Sequence, residues 1–540
     1  MPSTCLWTAP TSCATVASST STPTPSWSMR SACGLTIGGR WSSVTRSSAT
    51  PTPCTPSPIR FGRPDVEAPI DLAITGGTVV RGDGRRALDI GVRDGVIAIL
   101  AEPGRLPSAR TSVDASGLLI VPGIVDSHFH CRAPDHPERE DFDSGTAAAA
   151  AGGVTTIFEM PISDPACGTP DVLADRMALA RSQARVDVGF FAAPGDLDAP
   201  LLQEMAAAGA VAFKVMMHGF PPGREASFKG LAMTEDRDVY RALELVRDTG
   251  RLLAVHTEDQ GLIDLFEARE RAAGHGGPRA HARSRPPLAE AIAVARLGAM
   301  NEEVGARVHL VHVSSARAVE YIRWFQARGQ AMTAETTPAY LFGSEVDIDT
   351  YGPFVKINPP MRTREDQTAL WQALRDGAVR TIASDHAPFR AVEKEAGWSD
   401  IWEVGSGIPG VEITGRLLWD EALRGNVDLE QVVRWTSEAP ASLYGVERRK
   451  GYVREGADAD LVLLDPTAET VLTPELFHSR SADAIRHVLG RRCRGEIVSV
   501  WSRGERVAAG GRVLADPGRG RVVTPDDTSG ASSAPLGGTR

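Results

Sequence analysis

Acidic residues are missing from the first 64 positions of this 540-residue chain, and the same stretch holds four of its seven cysteines (Cys5, Cys13, Cys33 and Cys54). Runs such as SSTSTPTPSWS and SSATPTPCTPSP also lack apolar periodicity, so they cannot bury enough surface to offset the entropy of ordering. Residues 1–66 therefore read as a disordered Ser/Thr/Pro-rich leader, or as an upstream start whose translation is not native protein. A transit peptide shares this composition, but no amphipathic face accompanies it. The other three cysteines, Cys131, Cys167 and Cys493, are too few and too scattered for a disulfide framework, and no CxxC pair suggests a zinc knuckle. No run of ~18 apolar residues occurs, so no membrane-spanning helix is predicted. No basic cluster occurs either, and a net charge of -10 argues against a nucleic-acid partner. These absences point to a reduced, cytoplasmic protein.

What is present is regular. Apolar residues make up 42% of the chain, ample for a large core. Residues 67–120 carry short β-like runs punctuated by turn signals: DLAITGGTVV, DIGVRDGVIAIL and SGLLIVPG. Residues 121–446 then alternate strands with helical stretches. Eight strand candidates follow in order: LLIVPGIVDSH, TTIFEM, DVGFFAA, AFKVMM, LLAVHT, VHLVHV, AMTAET and TIASDH. Eight βα units predict an α/β fold, a (β/α)₈ TIM barrel with insertions. Residues 447–515 return to β texture, and with the N-terminal strands they can pair into one small β-sandwich domain. Residues 516–540 read as a disordered tail.

The stretch VDSHFHCRAPDHPERED ends the first barrel strand on two histidines. Alternate residues of a strand face one way, so His128 and His130 point together and Phe129 points away. His256 ends the fifth strand, His312 the sixth and Asp385 the eighth, all at the end where such barrels keep their active sites. Imidazoles and a carboxylate gathered there suit a divalent metal of the zinc, iron, manganese or nickel type. Lys214 lies inside the apolar fourth strand, where a free ammonium is costly. Three answers remain open for it: a depressed pKa, a Schiff base, or carbamylation to a carboxylate.

The motifs VPGIVDSHFHCR, EDFDSGTAAAAAGGVTTIFEMP, AFKVMM, VHTED, VHVSS, SDHAP and GADADLVLLDP, in this order, resemble the cyclic amidohydrolases, which include dihydroorotase, allantoinase, hydantoinase and dihydropyrimidinase. The resemblance covers about residues 70–515. It implies two divalent metal ions, zinc foremost. His128, His130 and Asp385 would bind one and His256 and His312 the other, bridged by carboxylated Lys214 and a hydroxide. It further implies that the hydroxide opens a ring amide while Asp385 takes its proton and returns it to the leaving nitrogen. The partners implied are a small cyclic amide or ureide and further copies of the chain, as a dimer or tetramer.

Arg132, two residues past His130, matches the HxHxR arginine with which dihydroorotases bind the ring carboxylate. Asn358 in VKINPPMR resembles the dihydroorotase asparagine, where hydantoinases usually carry serine. Both are expected to contact substrate. Two departures point the other way: Ile162 and Ser163 follow the MP where an asparagine usually stands, and Phe389 replaces a histidine in hydantoinase fashion. The expected function is a dihydroorotase-like hydrolase of a carboxylate-bearing ring, with an allantoinase or hydantoinase type as the alternative. A scaffold that has lost catalysis is a third reading, opposed by the six filled ligand positions. The polar loop HGFPPGREASFKG is a candidate lid, and His136, His218 and His386 read as solvated or supporting rather than ligating.

Overall fold

The computed structural model describes residues 69–526, residue 222 excepted. The leader expected at 1–66 lies outside the described residues, as do 527–540. Eight parallel strands follow one another around a single sheet: β1 (Ile124–Phe129), β2 (Val154–Glu159), β3 (Asp187–Ala192), β4 (Ala212–Met216), β5 (Leu253–His256), β6 (Val308–Leu310), β7 (Met332–Thr336) and β8 (Thr381–Ile382). Nearly every residue of these strands is buried, as parallel strands covered by helices require. The ring closes where the His130 amide donates to the His386 carbonyl at 2.8 Å and Phe129 bridges His386. Each of the eight strand candidates of the sequence contributes one strand to this ring, as a TIM barrel demands.

The first candidate divides in two. Leu119–Pro122 belongs to a different sheet, and β1 starts only after Gly123. At Gly123 the chain passes so close to β2 that a Cβ would run into the Thr155 side chain. Apolar periodicity continues across this break, which is why the sequence reads as one strand.

Leu119–Pro122 pairs antiparallel with Leu461–Val471, Ile120 opposite Leu463, which joins the two ends of the chain in one seven-stranded sheet. A four-stranded sheet built from residues 70–114 faces it. Leu72, Ile74, Ile90, Ile97, Ile120, Leu461, Leu463 and Trp501 pack between them as a buried cluster of their own. The β-sandwich beside the barrel is thus made from both termini.

The tail corrects an expectation. Residues 516–526 are not a free end: the Val188 amide of β3 donates to the Arg521 carbonyl at 2.9 Å, and the Val523 amide donates back to Val188 at 2.8 Å. The Arg521 amide also caps the buried carboxylate of Asp187 at 2.9 Å. Backbone pairing, one buried charge and the packing of Val522 and Val523 on the core hold this segment, and two adjacent valines are too few to read as an apolar pattern. Among the described residues no helix is long and apolar enough to cross a membrane, and Cys131, Cys167 and Cys493 are buried free thiols.

Candidate metal centre

His128 sits at the end of β1 with its ring almost wholly buried. Its Nδ1 lies 3.0 Å from Glu335 Oε1, whose other oxygen accepts the Ser127 hydroxyl at 2.8 Å. Burial alone would raise the pKa of Glu335, but the bond from His128 and the nearby His309 ring outweigh it and hold the carboxylate ionised. An ionised oxygen only accepts, so the His128 hydrogen is on Nδ1 and its lone pair is on Nε2. That Nε2 is 3.4 Å from Asp385 Oδ1, and His130 Nε2 is 3.7 Å from the same oxygen. Ligand atoms of His128, His130 and Asp385 all lie within 4.8 Å of one another. Acceptors converging in a buried place, with no donor between them, suit a cation.

A second set adjoins the first. The rings of His256 and His312 are 4.4 Å apart, and His312 is 5.2 Å from His128. His256 Nε2 lies 2.8 Å from Glu258 Oε2, itself 2.5 Å from Arg285 Nη1, so His256 keeps Nδ1 as its lone-pair nitrogen. His312 Nδ1 and His130 Nδ1 are buried without a hydrogen-bond partner. Burial pushes the imidazole of His130 down to about 3, and burial with cationic neighbours holds His256 and His312 well below the ordinary range. They are therefore neutral, the form a metal ligand needs.

Lys214, in β4 beside β5, is 2% exposed, and its Nζ has no hydrogen-bond partner among the described residues. Burial pushes its pKa down to about 7, a fall that Glu335 and Asp385 partly offset. For Asp385 burial alone would raise the pKa, but the imidazoles of His128, His130 and His312 gathered around it outweigh that and keep the carboxylate below its ordinary range. Asp126 sets the direction of this eighth-strand end by accepting the Ser384 amide at 2.9 Å and its hydroxyl at 2.5 Å. Arg132 (φ 63°), His312 (φ 42°) and Asp385 (φ 46°) all adopt left-handed backbone. Non-glycine residues take that conformation at a cost, and such strain gathers where side chains are aimed for a task.

The two residues expected to touch substrate have different surroundings. Arg132 is 7% exposed; its guanidinium lies over the Phe389 ring at 5.2 Å, and its Nε has no partner. It pairs with neither Glu138 nor Asp141, which are engaged by His136 and Arg480. Burial and the nearby Arg139 and Arg224 push its pKa down to about 10. Asn358 is partly exposed, and its Oδ1 lies 2.8 Å from His281 Nε2.

Sequence reading missed Glu335, Glu258, Arg285 and His281, which hold other site residues. Glu335 is the next-to-last residue of AMTAET, as His256 is of LLAVHT and His312 of VHLVHV, a signal that could have found it. His386 is buried rather than solvated. It stacks on Phe129 at 4.6 Å, and its Nδ1 accepts from the Gly410 amide at 3.2 Å, bracing the first strand against the last.

A model described as the amidohydrolase family matches residues 119–507 of the chain. The L-hydantoinase of Paenarthrobacter aurescens is 33% identical over 459 residues, 84% of this chain and 98% of that protein. The allantoinase of Rubrobacter xylanophilus is 35% identical over 465 residues, 85% of this chain and 99% of that one. Among solved structures, an L-hydantoinase (dihydropyrimidinase) from Arthrobacter aurescens superposes with a TM-score of 0.80 at 32% identity, covering 84% of this chain and all of its own. These relatives carry the names of the hydantoinase and allantoinase alternative rather than that of dihydroorotase.

Proposed function

This chain belongs to the amidohydrolase family and is a hydrolase of cyclic amides; within that activity we propose that it opens a cyclic ureide of the hydantoin or allantoin type. The observation that carries this reading is likeness to an L-hydantoinase and an allantoinase over more than four-fifths of the chain.

The donor set fits divalent metal, because neutral imidazoles, an ionised Asp385 and unpartnered buried nitrogens converge. His128, His130 and Asp385 would hold one ion and His256 and His312 a second, with Lys214 as a carboxylated bridge. Such ions supply Lewis acidity, polarising the amide carbonyl and making water acidic enough to attack near neutral pH. Asp385 Oδ takes the proton from the attacking water and delivers it to the departing ring nitrogen. Its depressed pKa suits brief rather than lasting protonation. Lys214 must be a free amine to combine with carbon dioxide, and a pKa of about 7 makes that form abundant at neutrality. Glu335 and Glu258 keep the lone pairs of His128 and His256 aimed inward. Asn358, with Oδ1 engaged by His281, turns its NH₂ group toward a substrate carbonyl.

A second reading, a ring that itself carries a carboxylate such as dihydroorotate, is favoured by one observation: Arg132 is buried and no carboxylate lies within ion-pair distance of it among the described residues. Hydrolysis of hydantoin, allantoin and dihydroorotate by the metal-loaded protein separates the two. Opening of hydantoin or allantoin with dihydroorotate inert supports the first reading, and the reverse supports the second. Inertness toward all three sinks both.

A further inference from the structure

Two acceptor atoms at the barrel mouth are buried without partners and belong to no ligand set described above: Nε2 of His218 and Oε1 of Glu258. His218 lies two residues past the end of β4 and Glu258 two past the end of β5, so both stand at the rim where the centre opens. The His218 ring meets the His256 ring edge-on at 4.2 Å between centroids. Ligand atoms of His218, His256 and Glu258 lie within 4.8 Å of one another. The state of His218 follows from its other nitrogen, which is 2.5 Å from the Gly219 carbonyl. A carbonyl only accepts, so the hydrogen is on Nδ1, and the neutral ring offers a lone pair on Nε2. Oε2 of Glu258 is taken up by His256 and Arg285, while Oε1 is not.

Paired acceptors of this kind call for a donor. A further cation is opposed by Arg285, whose charge bears on His218 and whose Nη1 lies 2.5 Å from Glu258 Oε2. Ring substrates of the class proposed above supply the right group. A cyclic amide or ureide presents N–H donors beside its carbonyls, and the remaining candidate contacts give those donors nothing. Arg132 has only donors, and Asn358, its oxygen already engaged, also donates.

We propose that His218 Nε2, seconded by Glu258 Oε1, accepts the hydrogen bond of a ring N–H and so selects rings unsubstituted at that nitrogen. This rests on the cyclic-amide reading above. A site built to pair with an N–H discriminates against the analogue lacking it, because its buried acceptor is left unpaired.

The test compares kcat/KM for hydantoin with its 1-methyl and 3-methyl derivatives in wild type, H218L and H218N, with metal content measured in each. If wild type opens allantoin or dihydroorotate instead, that ring and its N-methyl derivatives replace hydantoin. Wild type is expected to prefer the unmethylated ring over one N-methyl isomer by roughly 10- to 100-fold. H218L, similar in bulk but without an acceptor, should lose about tenfold or more on the unmethylated ring and little on that isomer. H218N, which retains an acceptor oxygen, should regain part of the loss. If H218L keeps the wild-type preference, or falls equally on both rings with its metal intact, the assignment is overturned. A wild type that opens none of the rings overturns the functional reading, and this inference with it.

Discussion

His128 and Arg132 leave the same strand four residues apart and enter opposite surroundings. Behind His128 stands a buried carboxylate, Glu335, which fixes its hydrogen and is in turn bonded by Ser127. Around Arg132 stand cations: Arg132, Arg139 and Lys394 all lie over the one Phe389 ring, at 5.2, 4.5 and 4.9 Å. Arg139 has Glu393, and Lys394 has the Gly405 carbonyl, but Arg132 has no counterpart carboxylate within ion-pair distance among the described residues. A buried charge without a partner is unfavourable, and the Phe389 face returns only part of that. Glu335 thus fixes the direction of His128 from within the chain, whereas no carboxylate does the same for Arg132. On the floor the open positions are lone pairs that suit a cation, and at the rim the open position is a cation that suits an anion.

The contrast breaks most sharply on the floor. Asp385→Asn should lower turnover on the order of 1,000-fold, the weight of a positioned proton carrier, and leave the melting temperature near that of wild type. Steady-state kinetics beside circular dichroism reads both. Activity within tenfold of wild type would remove Asp385 from proton transfer.

Lys214→Ala should come next, costing more than the ~100-fold typical of losing an outer partner of a ligand, with short carboxylates restoring part of the rate. Two tightly held metals in the alanine variant would refute the bridge. The same lysine gives a pH dependence with a definite sign. In metal-free protein stripped of carbon dioxide, its pKa of about 7 makes the free amine dominant above neutrality. Reactivation by metal at a fixed concentration of dissolved carbon dioxide should therefore speed up as pH rises through about 7 and then level off. A lysine at its ordinary 10.5 would still be gaining at pH 9. A rate climbing past pH 9 would contradict the burial argument.

The floor was also the legible part. His128, His130, His256, His312 and Asp385 could be named because each ends an apolar β-run, and period-two alternation aims a strand-end side chain without knowledge of its neighbours. Lys214 could be named because a cation inside an apolar strand is conspicuous. Partners across the barrel follow no local rule: Glu335 is 207 positions from His128, and His281 is 77 from Asn358. Nor does a sequence tell a bonded acceptor from an orphan, which is why His218 read as a bland histidine. The break at Gly123 and the docked residues 516–526 escaped for a similar reason, since both depend on a backbone approached from another element.

Glu335→Gln sharpens the comparison without removing a ligand. The amide can still bond His128, but it can no longer demand an N–H there, so the imidazole is free to take either tautomer. Metal affinity or activity should fall by roughly 10- to 100-fold, with a dose-dependent recovery at high metal concentration. Loss that no metal concentration repairs would mean that Glu335 maintains the barrel rather than the ligand's direction.

The smallest expected effect tests the rim. Arg132→Ala should raise KM about tenfold for a ring bearing a carboxylate, the value of one charged hydrogen bond, and leave kcat nearly unchanged, because the guanidinium holds a part of the substrate that does not react. For an uncharged ring such as hydantoin the same variant should change KM little. Arg132→Lys keeps the charge and gives up the planar fork, so it should recover less than half of the lost affinity if the contact is bidentate. The split between the two rings is the informative quantity. Equal loss on both would mean that Arg132 merely supports Phe389 and the loop around it, and the buried cation would then be a structural element of the rim. Loss confined to the anionic ring would make that unpaired charge the substrate's own binding site.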